Sequence, residues 1–517
     1  MKLLGIWTLF LALSFNVFAY TKGKKYKLTI LHTNDHHGRF WPNGDGELGL
    51  AARATLIDSL RKQVKAQGGH VLLLDAGDVN TGIPQSDLQK AEPDFKGMSL
   101  LDYDVMAIGN HEFDQTLETI YQQQLWAGFP FISANIYFEK SGERPFPSHI
   151  LKQLDDLKVT IFGLTTEDTP LKTNALHTKG LHFRAAVKEA KKLVPELKKN
   201  TDVLIALTHI GHHPNESHKA DAPGDVTLAR NVNGIDLIVG GHTQKPLFKP
   251  DIQNGTIIVQ AYEWGKYVGK VDLEFLDGKL TLKEYKLIPV NLKNTPKITP
   301  DKKLEAYLKP YKDKGDQLIK EMNKSEFSSS DLGVAEVEFI GDRNIVRNQE
   351  TNLGNLVTRA FKEKFKADIG LMNSGGLRES LKAGKITYES LLIVLPFKGE
   401  IVTAKLQGNA LRKYLENVVF ELTPGSGSFP QMSGVEIVTD KKTKRFKKIL
   451  INGKSLSERR IYTIAMPEFI AKGGDKYPAL KYEKTGKIDV NILTEYLINK
   501  KGLKAQDFAP TGYIRHE

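Results

Sequence analysis

Six short apolar runs set what the first half of this chain can fold into. Lys27 to His32, Val71 to Asp75, Val105 to Ile108, Val159 to Gly163, Val203 to Thr208 and Ile235 to Val239 are rich in Val, Ile and Leu. Each is bounded by Gly, Asp or Asn and reads as a buried strand. Gly49 to Lys65 and Ala185 to Lys198 read as helices between them. From Tyr26 to about Pro289 this alternation implies a layered α/β domain.

The chain has 517 residues. Domains usually hold about 100–200 residues, so more than one core is expected. Residues 301–323 read as helical in two pieces, with Leu304, Tyr307, Leu308 and Tyr311 on one face and Leu318, Ile319 and Met322 on another. Pro310 and Gly315 interrupt the pattern. Ser328 to Ser330 read as a loop, and residues 331–517 as a second domain. That domain mixes a helix at Asn355 to Phe365 with strands such as Asp368 to Met372 and Ile461 to Ala465. The expected division is 1–19, 20–300, 301–330 and 331–517.

Residues 1–19 stand apart. Lys2 precedes the apolar run Leu3 to Phe18, and Val17-Phe18-Ala19 offers a cleavage site before Tyr20. This predicts a secretory signal peptide, since the run is short for a bilayer span. Export without a stable membrane anchor is then expected. The chain contains no Cys, which excludes disulfides and a lipid anchor on Cys. With 40% hydrophobic and 26% charged residues it is neither disordered nor fibrous. The net charge of +12 is spread along the chain as a solvated surface with mild attraction for anions. No basic stretch is interleaved with aromatics, so nucleic acid is not an expected partner.

The strand ends carry the chemistry. The first strand leads into Asp35-His36-His37, the second into Asp75-Ala76-Gly77-Asp78, and the third into Gly109-Asn110-His111-Glu112-Phe113-Asp114. Two later ones lead into Thr208-His209 and Gly240-Gly241-His242-Thr243-Gln244. Any one of these alone is an ordinary polar turn. If the strands run in the same sense across a sheet, the five converge on one rim, where α/β sheets place ligands. Imidazole with carboxylate and amide oxygen, and no thiolate, suits a catalytic Zn, Mn, Fe or Co site.

These motifs resemble the calcineurin-like metallophosphoesterases, and within them the two-domain 5′-nucleotidase family. The likeness runs from Leu31-His32-Thr33-Asn34-Asp35 to Gly473-Gly474-Asp475. Gly77 to Gly82 and Glu263 to Gly269 are similar to the bacterial periplasmic UDP-sugar hydrolase/5′-nucleotidase subgroup. The resemblance implies an N-terminal four-layer α/β/β/α metallophosphoesterase domain, a hinge helix and a C-terminal α+β substrate-binding domain. It implies two divalent metal ions, Zn, Mn or Co. Asp35, His37 and Gln244 would hold one and Asn110, His209 and His242 the other, with Asp78 bridging. His111 would act on the leaving group and Asp114 would orient it. Lys314-Gly315 matches the hinge's bending point.

In the second domain, Arg343, Arg347 and Arg378 could fork onto phosphate. The residues alone leave open local pairing with Asp342 and Glu379, and the resemblance implies phosphate binding. It likewise implies that Phe429 and Phe469 sandwich the base, that Asp475 binds ribose, and that Asn373 contacts the base. The expected activity is 5′-nucleotidase with UDP-sugar diphosphatase, by a periplasmic monomer acting on nucleotides and nucleotide sugars. The alternatives are a 2′,3′-cyclic-nucleotide 2′-phosphodiesterase/3′-nucleotidase and a nucleotide-binding protein without catalysis.

Overall fold

The computed structural model of the protein describes residues 20–517 except 218–220, 328–330, 423 and 441. The expected signal peptide and the Ser328–Ser330 loop therefore lie outside the described residues. Among the described residues, no helix is long and apolar enough to cross a membrane.

The six expected strands are present, but they are divided between two sheets rather than arranged in one. Tyr26–Thr33, His70–Asp75 and Val105–Ala107 run parallel in the first sheet. Leu157–Thr165, Val203–His209 and Leu237–Gly240 run parallel in the second. Each sheet has six strands, completed by antiparallel neighbours such as Tyr267–Leu276 and His149–Leu154. The central strands are continuously apolar because both faces are covered. Leu72 and Leu74 point into the core between the sheets, while Leu73 points to the outer helices. In the second sheet, Val203, Ile205 and Leu207 point inward, and Leu204 and Ala206 outward. The helix Leu50–Ala66 covers the first sheet and Ala186–Lys198 the second. The layers are thus α/β/β/α, as the resemblance implies.

The second domain is α+β. Its five-stranded sheet is ordered Pro430–Ser433, Ile369–Asn373, Ile461–Pro467, Glu400–Gln407, Glu483–Ile488. One face packs on the helices Asn352–Lys364 and Asp489–Lys500, and the other on the helix Gly408–Phe420.

The connecting helix differs from expectation. It is one element, Lys302–Glu326, running through both Pro310 and Gly315. Asp301 caps it by accepting from the Leu304 N–H at 2.8 Å. Leu304 and Leu308 belong to the first domain's core and Ile319 to the second's. Burial at both ends outweighs the loss at Pro310 of one helical hydrogen bond.

Candidate active site

The carboxyl ends of both parallel sets open onto one rim, between the sheets. There the backbone is unusual. Asp35, His37, Asp78, His242 and Gln244 have φ of 51°, 50°, 60°, 77° and 52°. Side-chain-bearing residues seldom adopt this left-handed region, and each such residue costs about 1–3 kcal/mol. Five of them at one rim turn the chain so that the side chains face a common centre.

Two groups form there and share Asp78. Asp35, His37 and Asp78 bring ligand-type atoms within 4.8 Å of one another, and so do Asp78, His209 and His242. His209 Nε2 stands 2.9 Å from Asp78 Oδ2, and His37 Nε2 3.8 Å from Asp35 Oδ1. Asn110 Oδ1 lies 2.8 Å from His242 Nδ1, and the Gln244 amide 2.5 Å from His37 Nε2. All seven expected ligands are therefore brought together.

The donor set fits divalent cations. Asp35 Oδ1 is buried with no hydrogen-bond partner. The His37 Nδ1 faces the carbonyls of Asn80 and Thr81 at 2.9 and 2.8 Å, and the His209 Nδ1 faces that of Ala76 at 2.7 Å. Carbonyls only accept, so each Nδ1 carries the proton and each Nε2 is turned to the carboxylates. Burial lowers the His209 pKa, but Asp78 and Asp35 override it and push it up to about 10. Burial raises Asp78, yet His209 and His111 hold it well below the usual carboxylate range. A cation between such groups takes the place of the proton.

His111 lies beside this centre. Its backbone N–H donates to Asp78 Oδ1 at 2.8 Å, and its ring Nδ1 meets Asp114 Oδ2 at 2.7 Å. Asp114 is the last residue of the short 3-10 turn His111–Asp114, and its carboxylate meets the imidazole rather than capping a helix.

The second domain supplies the facing wall. Arg343 donates to Gln244 Oε1 across the cleft. Burial, together with Arg343 and Arg378, lowers the Arg347 guanidinium well below its usual pKa, and Arg347 Nε is buried without a partner. Three like charges left this close suit an anion with several oxygens. Phe429 and Phe469 are both only half-buried, and Asp475 lies nearby with φ 52°. Asn373 Nδ2 donates to Asp475 Oδ2 at 2.7 Å, so its amide is engaged with that carboxylate.

Four further residues shape the site without having been expected from the sequence. Glu112 is fully buried and accepts from the N–H groups of Gly109, Asp78 and Val79 at 2.7, 3.0 and 2.8 Å. It holds two ligand-bearing loops together, and its position inside the third strand-end turn is the signal that could have marked it. Asn34 donates to Asp35 Oδ2 at 2.6 Å and so fixes that carboxylate. Arg39 donates to the His37 carbonyl at 2.7 Å, stacks on Trp264 at 3.8 Å and pairs with Glu379 of the second domain at 2.9 Å. Phe397 stacks on His111 from the second domain. Nothing in the sequence marks the last two, because the partners that tie them to the site across the fold, Trp264 and Glu379 for Arg39 and His111 for Phe397, are hundreds of residues away.

Comparison with known proteins agrees with this arrangement. Residues 28–246 match the calcineurin-like phosphoesterase profile, and residues 331–482 match that of the 5′-nucleotidase C-terminal domain. A 5′-nucleotidase of Vibrio cholerae is 44% identical, over 95% of this chain and 94% of its own. Protein UshA of Escherichia coli is 41% identical, over 99% and 98%. The structure of a 5′-nucleotidase precursor from Thermus thermophilus superposes with a TM-score of 0.81 at 28% identity, over 95% of this chain and 99% of that one. The chain belongs to the two-domain 5′-nucleotidase family of calcineurin-like metallophosphoesterases.

Proposed function

We propose that the protein is an exported, periplasmic 5′-nucleotidase, acting as a monomer, that also hydrolyses UDP-sugars. The observation that carries this reading is the reach of Arg343 to Gln244. A phosphate-binding side chain of one domain meets a metal-ligating side chain of the other, so one phosphoryl group can engage both.

Asp35, His37, Gln244 and Asp78 would hold one divalent cation, and Asp78, Asn110, His209 and His242 a second, with Zn, Mn or Co suited to these donors. Bound there, such ions polarise phosphoryl oxygens and make water more acidic. The chain's own residues do the rest. Arg343, Arg347 and Arg378 grip the phosphoryl oxygens. Phe429 and Phe469 stack on the base, which tolerates several bases. Asp475, steadied by Asn373, accepts from the ribose hydroxyls. A water oxygen bonds to phosphorus, keeping one proton and releasing the other to solvent, from which His111 is later reprotonated; as that bond forms, the bond to the leaving oxygen breaks and its electron pair stays on that oxygen. His111, held through Nδ1 by Asp114, gives it a proton from Nε2. The products are nucleoside and phosphate.

The test is phosphate release from AMP, UDP-glucose and 2′,3′-cyclic AMP by metal-loaded protein, with and without chelator. Chelator-sensitive cleavage of AMP and UDP-glucose is expected. Cleavage of the cyclic substrate alone would establish the cyclic phosphodiesterase instead. No cleavage at all would mean a binding protein.

A further inference from the structure

The stretch Glu263 to Gly269 has no part in the chemistry above, yet it belongs to an aromatic surface at the rim of the metal centre. The segment that leaves Gln244 pairs antiparallel with Ala261 at Pro246, and this sets Tyr262 alongside the ligand turn. Tyr262 has φ 76° and Trp264 φ 59°. Both are tied to the first ligand turn. Asn34 Nδ2 donates to the Tyr262 carbonyl at 2.5 Å, and the Trp264 N–H donates to the Asp35 carbonyl at 2.6 Å. The Tyr262 and Tyr267 rings lie 6.3 Å apart, and Phe248 meets Tyr267 edge to face at 5.7 Å. Phe248 is 62% exposed, and both tyrosines are half-buried. Lys266, paired with Glu263 at 2.7 Å, stands 4.5 Å from the Tyr262 ring. An exposed apolar patch rimmed by polar groups marks a binding surface.

The patch lies on the flank of the centre away from the nucleoside. Asp475, assigned to the ribose, has Lys172, Arg347 and Asp221 as charged neighbours, and Asp221 has Lys172 and His242. The nucleoside thus sits on the His242 flank. Gln244 faces His37 and Arg343 instead. Burial raises the Tyr262 phenol to about 12, Glu263 and Asp342 add to this, and Arg343 opposes it. Tyr262 therefore stands beside Arg343, on the Gln244 flank. A second substituent on the bound phosphoryl group leaves the centre on this side.

We infer that Tyr262, Tyr267 and Phe248 form the subsite for the sugar of a nucleoside diphosphate sugar. A pyranose lays its C–H face on an aromatic ring while its hydroxyls take hydrogen bonds at the ring's edge, here from Lys266. A flat base is better held between two parallel rings, and these rings are inclined by 38° and 90°. The inference rests on the UDP-sugar reading and gives that substrate a place for the half outside the nucleoside clamp.

The experiment compares UDP-glucose with UMP, which has the same nucleoside and no sugar beyond it, on the full-length, metal-loaded chain. Phe248→Ala and Tyr262→Ala are each expected to raise KM for UDP-glucose about 5- to 10-fold and to change KM for UMP less than about twofold. Phe248 is exposed, so its removal leaves the core intact. Tyr262→Phe, which keeps the ring, should restore KM. A second readout needs no turnover. Glucose 1-phosphate should raise the unfolding midpoint of the wild-type chain more than inorganic phosphate does, and no more than phosphate does in Tyr262→Ala. Equal changes on UDP-glucose and UMP, no change on either, failure of Tyr262→Phe to rescue, or glucose 1-phosphate no better than phosphate on the wild type would each overturn the subsite. A larger loss on NAD than on UDP-glucose would assign the rings to a second base and overturn it too. Wild-type protein that cleaves neither UMP nor UDP-glucose would sink the nucleotidase reading, and the glucose 1-phosphate shift would still decide the subsite.

Discussion

Gly315 of the connecting helix lies directly on Gln85 of the first domain: a Cβ built on the glycine would stand 2.8 Å from the Gln85 Cα. Gln85 is 2% exposed, and its amide donates to Asp316 on the same helix at 2.9 Å and to Glu389 in the second domain. The glycine therefore answers a close approach and is not a bend, since the helix continues through it. Gly315→Ala should force helix and loop apart and destabilise the closed arrangement by about 1–3 kcal/mol. A lowered unfolding midpoint with unchanged metal content would be the signature. An unchanged or raised midpoint would show that the contact yields easily.

His111 and Asp114 are joined at 2.7 Å. Asp114→Asn keeps the size but offers the imidazole an amide that can stabilise the wrong tautomer. A carboxylate that orients a histidine is worth about 10- to 100-fold or more in rate. kcat on AMP should fall by at least about tenfold, while metal stoichiometry, measured by elemental analysis, stays at the wild-type value. Loss of metal in this variant would mean that Asp114 supports the ligand loop instead.

Glu112 offers the converse. Its carboxylate accepts from three backbone N–H groups, on the loops that carry Asp78 and Asn110. Glu112→Gln replaces one acceptor oxygen by a donor that faces other donors. The expected result is a metal affinity lower by about 10- to 100-fold, read from chelator competition, with a reduced unfolding midpoint in the metal-free protein as well. Full retention of both would reduce Glu112 to a spectator.

The limits of the sequence are visible in these same residues. Strands such as Val203–His209 are legible because a short apolar run of β-branched residues that ends in a polar turn has the length and composition of a buried strand. The candidate ligands are legible because their chemistry is local to each turn. The division of the strands between two sheets is not, since a strand buried on both faces looks the same in either sheet. Pro310 and Gly315 mislead about the connecting helix because local propensity opposes a helix there, while Leu308 and Ile319 anchor it in two different cores. Glu112 lies inside a motif that the sequence does display, but its backbone partners are brought to it only by the fold. Arg39 and Phe397 act across the domain boundary, where sequence distance carries no information.

In the arginine cluster, stability and binding should move in opposite directions. Arg343 and Arg378 both press on Arg347, whose Nε is buried without a partner. Without an anion the three guanidinium groups repel one another. Arg347→Met keeps an unbranched stem and removes one charge. The ligand-free protein should then become more stable, by about 1 kcal/mol for a relieved like-charge contact of this kind. Affinity should move the other way, because a bidentate contact to phosphate is lost. KM for AMP should rise by about 10- to 100-fold, the equivalent of roughly 1.4–2.8 kcal/mol. Inorganic phosphate gives a direct readout. It should raise the unfolding midpoint of the wild-type chain by neutralising the cluster, and raise that of Arg347→Met much less. A variant that is less stable than wild type and equally stabilised by phosphate would show that Arg347 serves the fold of the second domain and not the substrate.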